Sequence, residues 1–157
     1  MRRNILSARE RRQAQVETFS ELFPCTLMLS LLIPGEEKCG ERPSRLFHWG
    51  LVRLAQTLPV TLLYSGEDAL GPYALFQAKL SPQRTKEEAV RLEPTGRCGQ
   101  LLDIDVYDDT ASPVGRSLLG LPPRRCLICG EPATQCMCAE RHGQALLEEA
   151  YVIIDKL

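Results

Sequence analysis

The chain has 157 residues, of which 44% are hydrophobic and 25% charged, and carries a formal net charge of −1. That length is enough to bury one substantial core but not two, so a single domain over residues 1–157 is expected. Near-neutral charge gives no general pull towards nucleic acid or anionic lipid, so neither a nucleic acid nor a membrane is expected as a partner.

The N-terminal run MRRNILSARERRQAQ starts basic but stays polar and never reaches the apolar stretch of a secretory signal. The longest apolar run, Cys25 to Ile33, falls well short of the roughly 20 residues that a membrane helix needs. Seven cysteines are present, four of them between Cys126 and Cys138. Without a secretory signal, an odd and clustered set reads as thiols or a metal site rather than a disulfide framework. A cytoplasmic location is expected.

In chain order, residues 7–22 are predicted to be helical, with Ser7 and Glu10 at capping-box spacing and Val16, Phe19 and Leu22 as core contacts. Pro24 ends that helix, and residues 26–33 read as a buried strand stopped by Pro34-Gly35. Residues 44–58 have apolar residues at helical spacing, Leu46, Trp49, Val52 or Arg53, and Leu54 onward. Strands are predicted over 60–64 and 73–80, separated by the turn-rich SGEDALGP. Ser81-Pro82 opens a helix running to Leu92. A fourth strand is predicted over 100–107, then an irregular Gly/Pro-rich segment over 112–123, the cysteine cluster, and a C-terminal helix over 144–157. Strands mixed with helices in no steady alternation point to an α+β fold, with a mixed or antiparallel sheet flanked by helices.

The segment LLDIDV places Asp103 and Asp105 two apart on a strand, where alternate side chains share a face. Leu102, Ile104 and Val106 then point to the opposite, buried side. Two carboxylates projecting together repel unless a cation lies between them, and Mg²⁺ commonly takes one or two carboxylates plus substrate phosphate oxygens. Such a site suits attack at phosphorus. Solvated aspartates on an edge strand would give the same alternation, but Arg97, Arg116, Arg124 and Arg125 cluster nearby, and arginine clamps phosphate through paired N–H groups.

The run PPRRCLICGEPATQCMCAERH offers Cys126, Cys129, Cys136 and His142, a donor set for tetrahedral Zn²⁺, with Cys138 to spare. The second half lacks the usual paired spacing, so reduced, partly buried thiols are the alternative. His48 beside Trp49 reads as a core or edge histidine, and Cys25, Cys39 and Cys98 as ordinary thiols. No P-loop, dinucleotide-binding glycine pattern or nucleophile elbow is present.

Three segments together resemble one family: ARERRQ (Ala8 to Gln13), LLIPGEEK (Leu31 to Lys38), and GQLLDIDV followed by GRSLLGLPPRRCLIC (Gly115 to Cys129). They are similar to holo-citrate lyase synthase, also called apo-citrate lyase phosphoribosyl-dephospho-CoA transferase, over most of the chain. The resemblance implies transfer of phosphoribosyl-dephospho-CoA from triphosphoribosyl-dephospho-CoA to a serine on the acyl carrier protein subunit of citrate lyase, releasing diphosphate. It also implies a nucleotidyltransferase-like active-site strand. Asp103 and Asp105 would hold Mg²⁺, and Arg116, Arg124 and Arg125 would contact phosphate, with Arg9 and Arg12 as further candidates. The family pattern before the aspartates is close to H-P-L-G-R-L-[FW]-D-[IL]-D, whereas this chain has Gly96, Gln100 and Leu102 at the histidine, arginine and aromatic positions. Arg97 is a candidate to replace the charge lost at Gln100. Three alternatives stay open: the equivalent carrier-loading enzyme of malonate decarboxylase, a non-catalytic zinc-binding module built on the cysteines, and an inactive relative that still binds carrier protein, which the Gln100 departure suggests.

Overall fold

The computed structural model describes residues 2–157, with side chains from Asn4 onward. The described elements run α1 (Arg2–Leu22), β1 (Cys25–Leu31), α2 (Glu41–Thr57), β2 (Val60–Asp68), β3 (Gly71–Ala78), α3 (Pro82–Leu92), α4 (Gly96–Gly99), β4 (Leu102–Asp108), α5 (Ala133–Cys138) and α6 (Gly143–Ile154). A single 3-10 turn lies at Ser117–Leu119. The four strands form one sheet in the order β2-β3-β1-β4, and every neighbouring pair is antiparallel. The architecture is α+β, and of the two sheet types expected the antiparallel one is found.

Alternation along the strands divides the sheet into two faces. On one, Leu27, Leu29, Leu102, Ile104 and Val106 are buried against Leu46 and Leu54 of α2, Ala89 and Leu92 of α3, and Ala150 and Ile154 of α6. Each fully buried leucine or isoleucine contributes roughly 1.5–3 kcal/mol, so this layer holds β4 in place. On the other face, Met28, Tyr73 and Leu75 pack against Val16 of α1, with Phe19 and Tyr107 partly buried beside them. The layer is thinner here, and beyond α1 the sheet is left open.

Two polar ties fix α1 across the sheet. Arg12 donates from Nε and Nη2 to the two carboxylate oxygens of Asp68 at 2.9 and 2.6 Å, and from Nη2 to the carbonyl of Gly71 at 2.9 Å. Its guanidinium also lies 4.0 Å from the Tyr73 ring centroid, and the Tyr73 hydroxyl donates to Gln15 Oε1. On the opposite side, Gly50 of α2 lets the helix approach β4: a Cβ there would sit 2.8 Å from Leu102 Cδ2.

Several predicted boundaries shift for identifiable reasons. α1 starts at Arg2, so Ser7 is inside the helix and does not cap it; the residues ahead of it contain no breaker, and Arg and Leu are good helix formers. Leu22 is 67% exposed and is not a core contact. The buried stripe of α2 is Pro43, Leu46, Phe47, Gly50 and Leu54, so Val52 faces outward. SGEDALGP is mostly strand: β2 continues to Asp68 and only residues 69–70 turn. Asp68 holds that turn by accepting the Leu70 N–H at 2.8 Å. The helix predicted after Ser81 is α3, and Ser81 Oγ accepts the Arg84 N–H as its cap.

Candidate active site and metal centre

Asp103 and Asp105 pair across the ladder with Ser30 and Met28, which sets both on the α1 face of the sheet. Both carboxylates line a cleft of about 1110 Å³ between α1 and the stretch carrying the cysteine cluster. The expected alternation is present: Leu102, Ile104 and Val106 are buried while Asp103 and Asp105 are half-buried. Among the described residues, no hydrogen-bond donor or ion-pair partner reaches either carboxylate. Burial, and then the charge of Asp103, push Asp105 up to about 6, against the opposing pull of Lys86 and Arg124. Two hard oxygen donors set together, unsatisfied by the protein and facing a cleft, fit Mg²⁺. Tyr107, next on the same face, has its hydroxyl pKa raised by burial and by both aspartates, so it stays protonated.

The arginines separate into two groups. Arg124 and Arg125 line the cleft. Arg124 donates to the carbonyl of Gln100 at 3.1 Å and to Glu93 Oε1 at 3.0 Å; burial opposes its charge, and Asp103 and Asp105 favour it. Arg125 donates to the carbonyl of Gly130 at 3.1 Å. Arg116 is paired with Glu93 and with the carbonyl of Pro122, and Arg97 with Glu149 and the carbonyl of Leu127. Neither Arg97 nor Arg116 is among the residues lining the cleft, whereas Gln100 is. Arg9 and Arg12 both line the cleft, Arg9 as an exposed side chain and Arg12 with its guanidinium committed to Asp68.

Sequence reasoning missed two buried charges, Lys86 on α3 and Glu93 at its C-cap. Lys86 is 8% exposed and donates from Nζ to the carbonyl of Ile104 at 2.8 Å, which ties the free edge of β4 to α3 between the aspartates. Burial lowers its pKa, and Asp105 and then Asp103 work against that lowering, while the nearby Arg116 and Arg124 add to it. Glu93, 4% exposed, holds Arg116 and Arg124 together. The signal was spacing: residues seven apart share a helix face, and Lys86 and Glu93 flank the buried line of Thr85, Ala89 and Leu92.

At the other wall of the cleft, one donor atom from each of Cys126, Cys129, Cys136 and His142 lies within 4.8 Å of all the others. Cys129 Sγ is 3.4 Å from Cys136 Sγ and 3.3 Å from His142 Nε2. Burial raises the Cys126 thiol, but backbone N–H groups of Cys129 and Ile128 and the adjacent thiols outweigh it and lower its pKa. Cys136 is pushed up to about 11 by burial and by Cys129 and Cys126. Neighbouring thiols thus cannot all ionise without a cation, and the four residues can hold a metal such as zinc. Cys138 is exposed and outside the cluster.

No described helix is long and apolar enough to cross a membrane. The chain is similar to an apo-citrate lyase phosphoribosyl-dephospho-CoA transferase from Escherichia coli (strain SE11), with 28% identity over 144 residues covering 88% of this chain and 79% of the relative. A relative of the same name from Shigella boydii serotype 18 matches with the same identity and coverage. The sequence pattern of a whole family, described as apo-citrate lyase phosphoribosyl-dephospho-CoA transferase, matches residues 1–156. With the acidic pair, the arginine wall and the cysteine cluster all inside that span, the chain belongs to the apo-citrate lyase phosphoribosyl-dephospho-CoA transferase family.

Proposed function

We propose that the chain is a cytoplasmic enzyme that loads phosphoribosyl-dephospho-CoA onto the acyl carrier protein of citrate lyase, taking it from triphosphoribosyl-dephospho-CoA. The serine hydroxyl oxygen of the carrier forms a bond to the innermost phosphorus of the triphosphate. The bond from that phosphorus to the outer diphosphate breaks, diphosphate leaves, and the serine proton passes to a base. β4 acts as a nucleotidyltransferase-like active-site strand. The observation that carries this reading is the pair Asp103 and Asp105 on one sheet face, opening into a cleft that also holds Arg124 and Arg125.

Asp103 and Asp105 would hold Mg²⁺, which when bound supplies neutralisation of phosphate charge. Zn²⁺ is the ion suited to the thiolate cluster. The remaining work falls to side chains. Arg124 and Arg125 orient the triphosphate, with Arg9 facing them from α1. Arg116 acts indirectly, through the Glu93 carboxylate that it shares with Arg124, and Arg97 through its hold on the carbonyl of Leu127, which lines the cleft. Ile5, Leu32, Ile33, Leu127 and Leu146 form an apolar stretch of the same cleft, suited to the uncharged parts of a long nucleotide-like substrate.

The deciding experiment mixes purified protein, Mg²⁺, triphosphoribosyl-dephospho-CoA and apo-carrier, and follows the carrier by intact mass. A mass increase on the carrier serine is expected, lost with Asp103→Ala. No increase with wild type, or an undiminished one with the variant, rejects the reading. Offering the apo-carrier of malonate decarboxylase in parallel separates the two carrier classes.

A further inference from the structure

The stretch bearing the arginine wall has almost no apolar core. From residue 115 to residue 142 only Cys126 and Cys136 are buried. Leu118, Ile128 and Met137 are all well exposed, at 71%, 41% and 67%. Backbone pairing is local: Cys126 N–H donates to the Glu131 carbonyl at 2.6 Å, Gly130 N–H to the Cys126 carbonyl at 3.2 Å, and Ala133 N–H to the Arg124 carbonyl at 2.8 Å. Gly130 turns the chain just after Cys129 with φ 74°, a left-handed conformation that glycine adopts without strain. Arg116 and Arg124 tie the stretch to Glu93, Arg97 holds the Leu127 carbonyl, and Leu119 and Leu127 rest on the main core, but residues 128–142 have only the local bonds and would open readily unless something else supplied a core.

The two buried side chains are both members of the cysteine–histidine cluster, which is therefore placed where a core belongs. We infer that Cys126, Cys129, Cys136 and His142 bind one zinc ion that serves as the core of residues 121–142 and holds Arg124 and Arg125 against the cleft. Zn–S bonds of about 2.3 Å and Zn–N bonds of about 2.0–2.1 Å in a tetrahedron give ligand-to-ligand edges of roughly 3.5–3.8 Å. The separations of 3.4 Å between Cys129 and Cys136 and 3.3 Å between His142 and Cys129 are close to this, and with all four donor atoms within 4.8 Å of one another the ion enters by drawing the wider edges in by about 1 Å at most. Four protein ligands fill a tetrahedral ion and leave no position for substrate or reactive water, so the centre is structural.

The connection to the arginines is covalent and short. Arg124 and Arg125 immediately precede Cys126, the Arg124 carbonyl accepts from Ala133 at the start of α5, and Arg125 donates to Gly130 inside the turn. Pulling Cys126 and Cys129 onto one ion with Cys136 and His142 closes this turn and sets the direction from which both guanidinium groups enter the cleft. The metal clamp itself stands apart from the transferase reading; only the consequence for the triphosphate rests on it.

Protein purified without chelator from zinc-containing medium is analysed for metal by mass spectrometry. About one zinc per chain is expected, falling by at least tenfold in Cys129→Ser, whose side chain is exposed and carries no core packing. Metal-free wild type that takes up no zinc when offered it overturns the inference. Replacement with cobalt(II) should give the intense visible bands of a tetrahedral thiolate site; a weak octahedral spectrum overturns it. Hydrogen exchange with and without zinc reads the structural role. The amides of Cys126, Gly130 and Ala133 should lose protection on zinc removal while those of β1 and β4 keep theirs. Equal protection in both states overturns the clamp. Binding of inorganic tripolyphosphate should weaken about tenfold on zinc removal in wild type, and little further in Arg124→Ala; equal loss in both overturns the positioning of Arg124. None of these readouts uses the carrier assay, so failure of the transferase reading would leave the zinc result intact, and the reverse.

Discussion

Arg124 donates to Glu93 Oε1 at 3.0 Å, and through that carboxylate it is linked to Arg116 as well. Glu93 is nearly fully buried, while the two arginines keep about a fifth to a quarter of their side-chain surface, 20% for Arg116 and 24% for Arg124. One carboxylate therefore fixes an arginine that faces both aspartates. Replacing Glu93 by glutamine keeps the shape and removes the charge. Leaving buried charged donors short of a partner should cost about 1–3 kcal/mol, read as a lower urea midpoint. KM for the triphosphate precursor should rise several-fold with a smaller change in kcat, because Arg124 is loosened rather than deleted. An unchanged KM would show that Arg124 is held without Glu93.

Asp105 should trade stability against activity. Burial and the adjacent Asp103 charge already outweigh the attraction of Lys86 and Arg124. Without metal, the ionised carboxylate is therefore a liability to the folded state at neutral pH. Asp105→Asn should raise the melting temperature of metal-free protein and abolish the Mg²⁺-induced shift expected of wild type. Carrier loading should fall at least about 100-fold, as expected when several kcal/mol of charge stabilisation at the phosphate is lost. A variant that is active, or less stable than metal-free wild type, would contradict the assignment.

The acidic strand was legible because a period of two is a local property: DIDV with buried Leu102, Ile104 and Val106 needs no tertiary knowledge. α3 was equally legible, with Ser81, Pro82 and the apolar line of Ala89 and Leu92 all agreeing. The β2–β3 hairpin was legible as two strands about a turn, but not its full length. Gly66, Glu67, Asp68 and Gly71 have turn composition, and they become strand because Arg12, more than fifty positions away, neutralises Asp68 and binds the Gly71 carbonyl. Which arginines reach the cleft was hidden for the same reason. Arg97 and Arg124 look alike in sequence, and only the fold puts Glu149 beside one and the aspartates beside the other.

The Arg12–Asp68 pair sets a pH dependence on stability. Burial works against the Asp68 carboxylate, but hydrogen bonds from Arg12 and the Leu70 N–H outweigh it and hold its pKa below the ordinary 3.8. A depressed carboxylate contributes stability that is full above the unfolded value and lost as pH falls through the folded one. Asp68→Asn should therefore cost about 1–3 kcal/mol at pH 7. The gap to wild type, measured by urea unfolding, should narrow once pH drops below about 4. A gap that stays constant down to the acid transition would show that Asp68 acts through shape and not through charge.

Gly50 couples core packing to the site. A Cβ at this position would lie 2.8 Å from Leu102 Cδ2, and Leu102 is fully buried next to Asp103 in the chain. Alanine gains up to about 1 kcal/mol of helix propensity over glycine, whereas overpacking a full core costs about 1–3 kcal/mol. Gly50→Ala should be net destabilising and should lower kcat along with it, since Leu102 moves first. Adding Leu102→Val to make room should recover part of both. No recovery would mean that the defect lies in α2 alone.

Gln100 tests whether this cleft is short of one positive charge. Its side chain is exposed and lines the cleft, while its backbone carbonyl accepts from Arg124, so a substitution changes the side chain and leaves that bond in place. Arginine at this position matches the pattern that the resemblance implies and adds a guanidinium to the cleft that Arg124 and Arg125 line. One added charge-assisted contact to phosphate should lower precursor KM about tenfold, equivalent to roughly 1.4 kcal/mol. Because the position is solvent-exposed, the gain should shrink as salt rises from 0.05 to about 0.5 M. Repulsion from Arg124 works the other way, and a raised KM would show that the cleft already carries all the positive charge it can use.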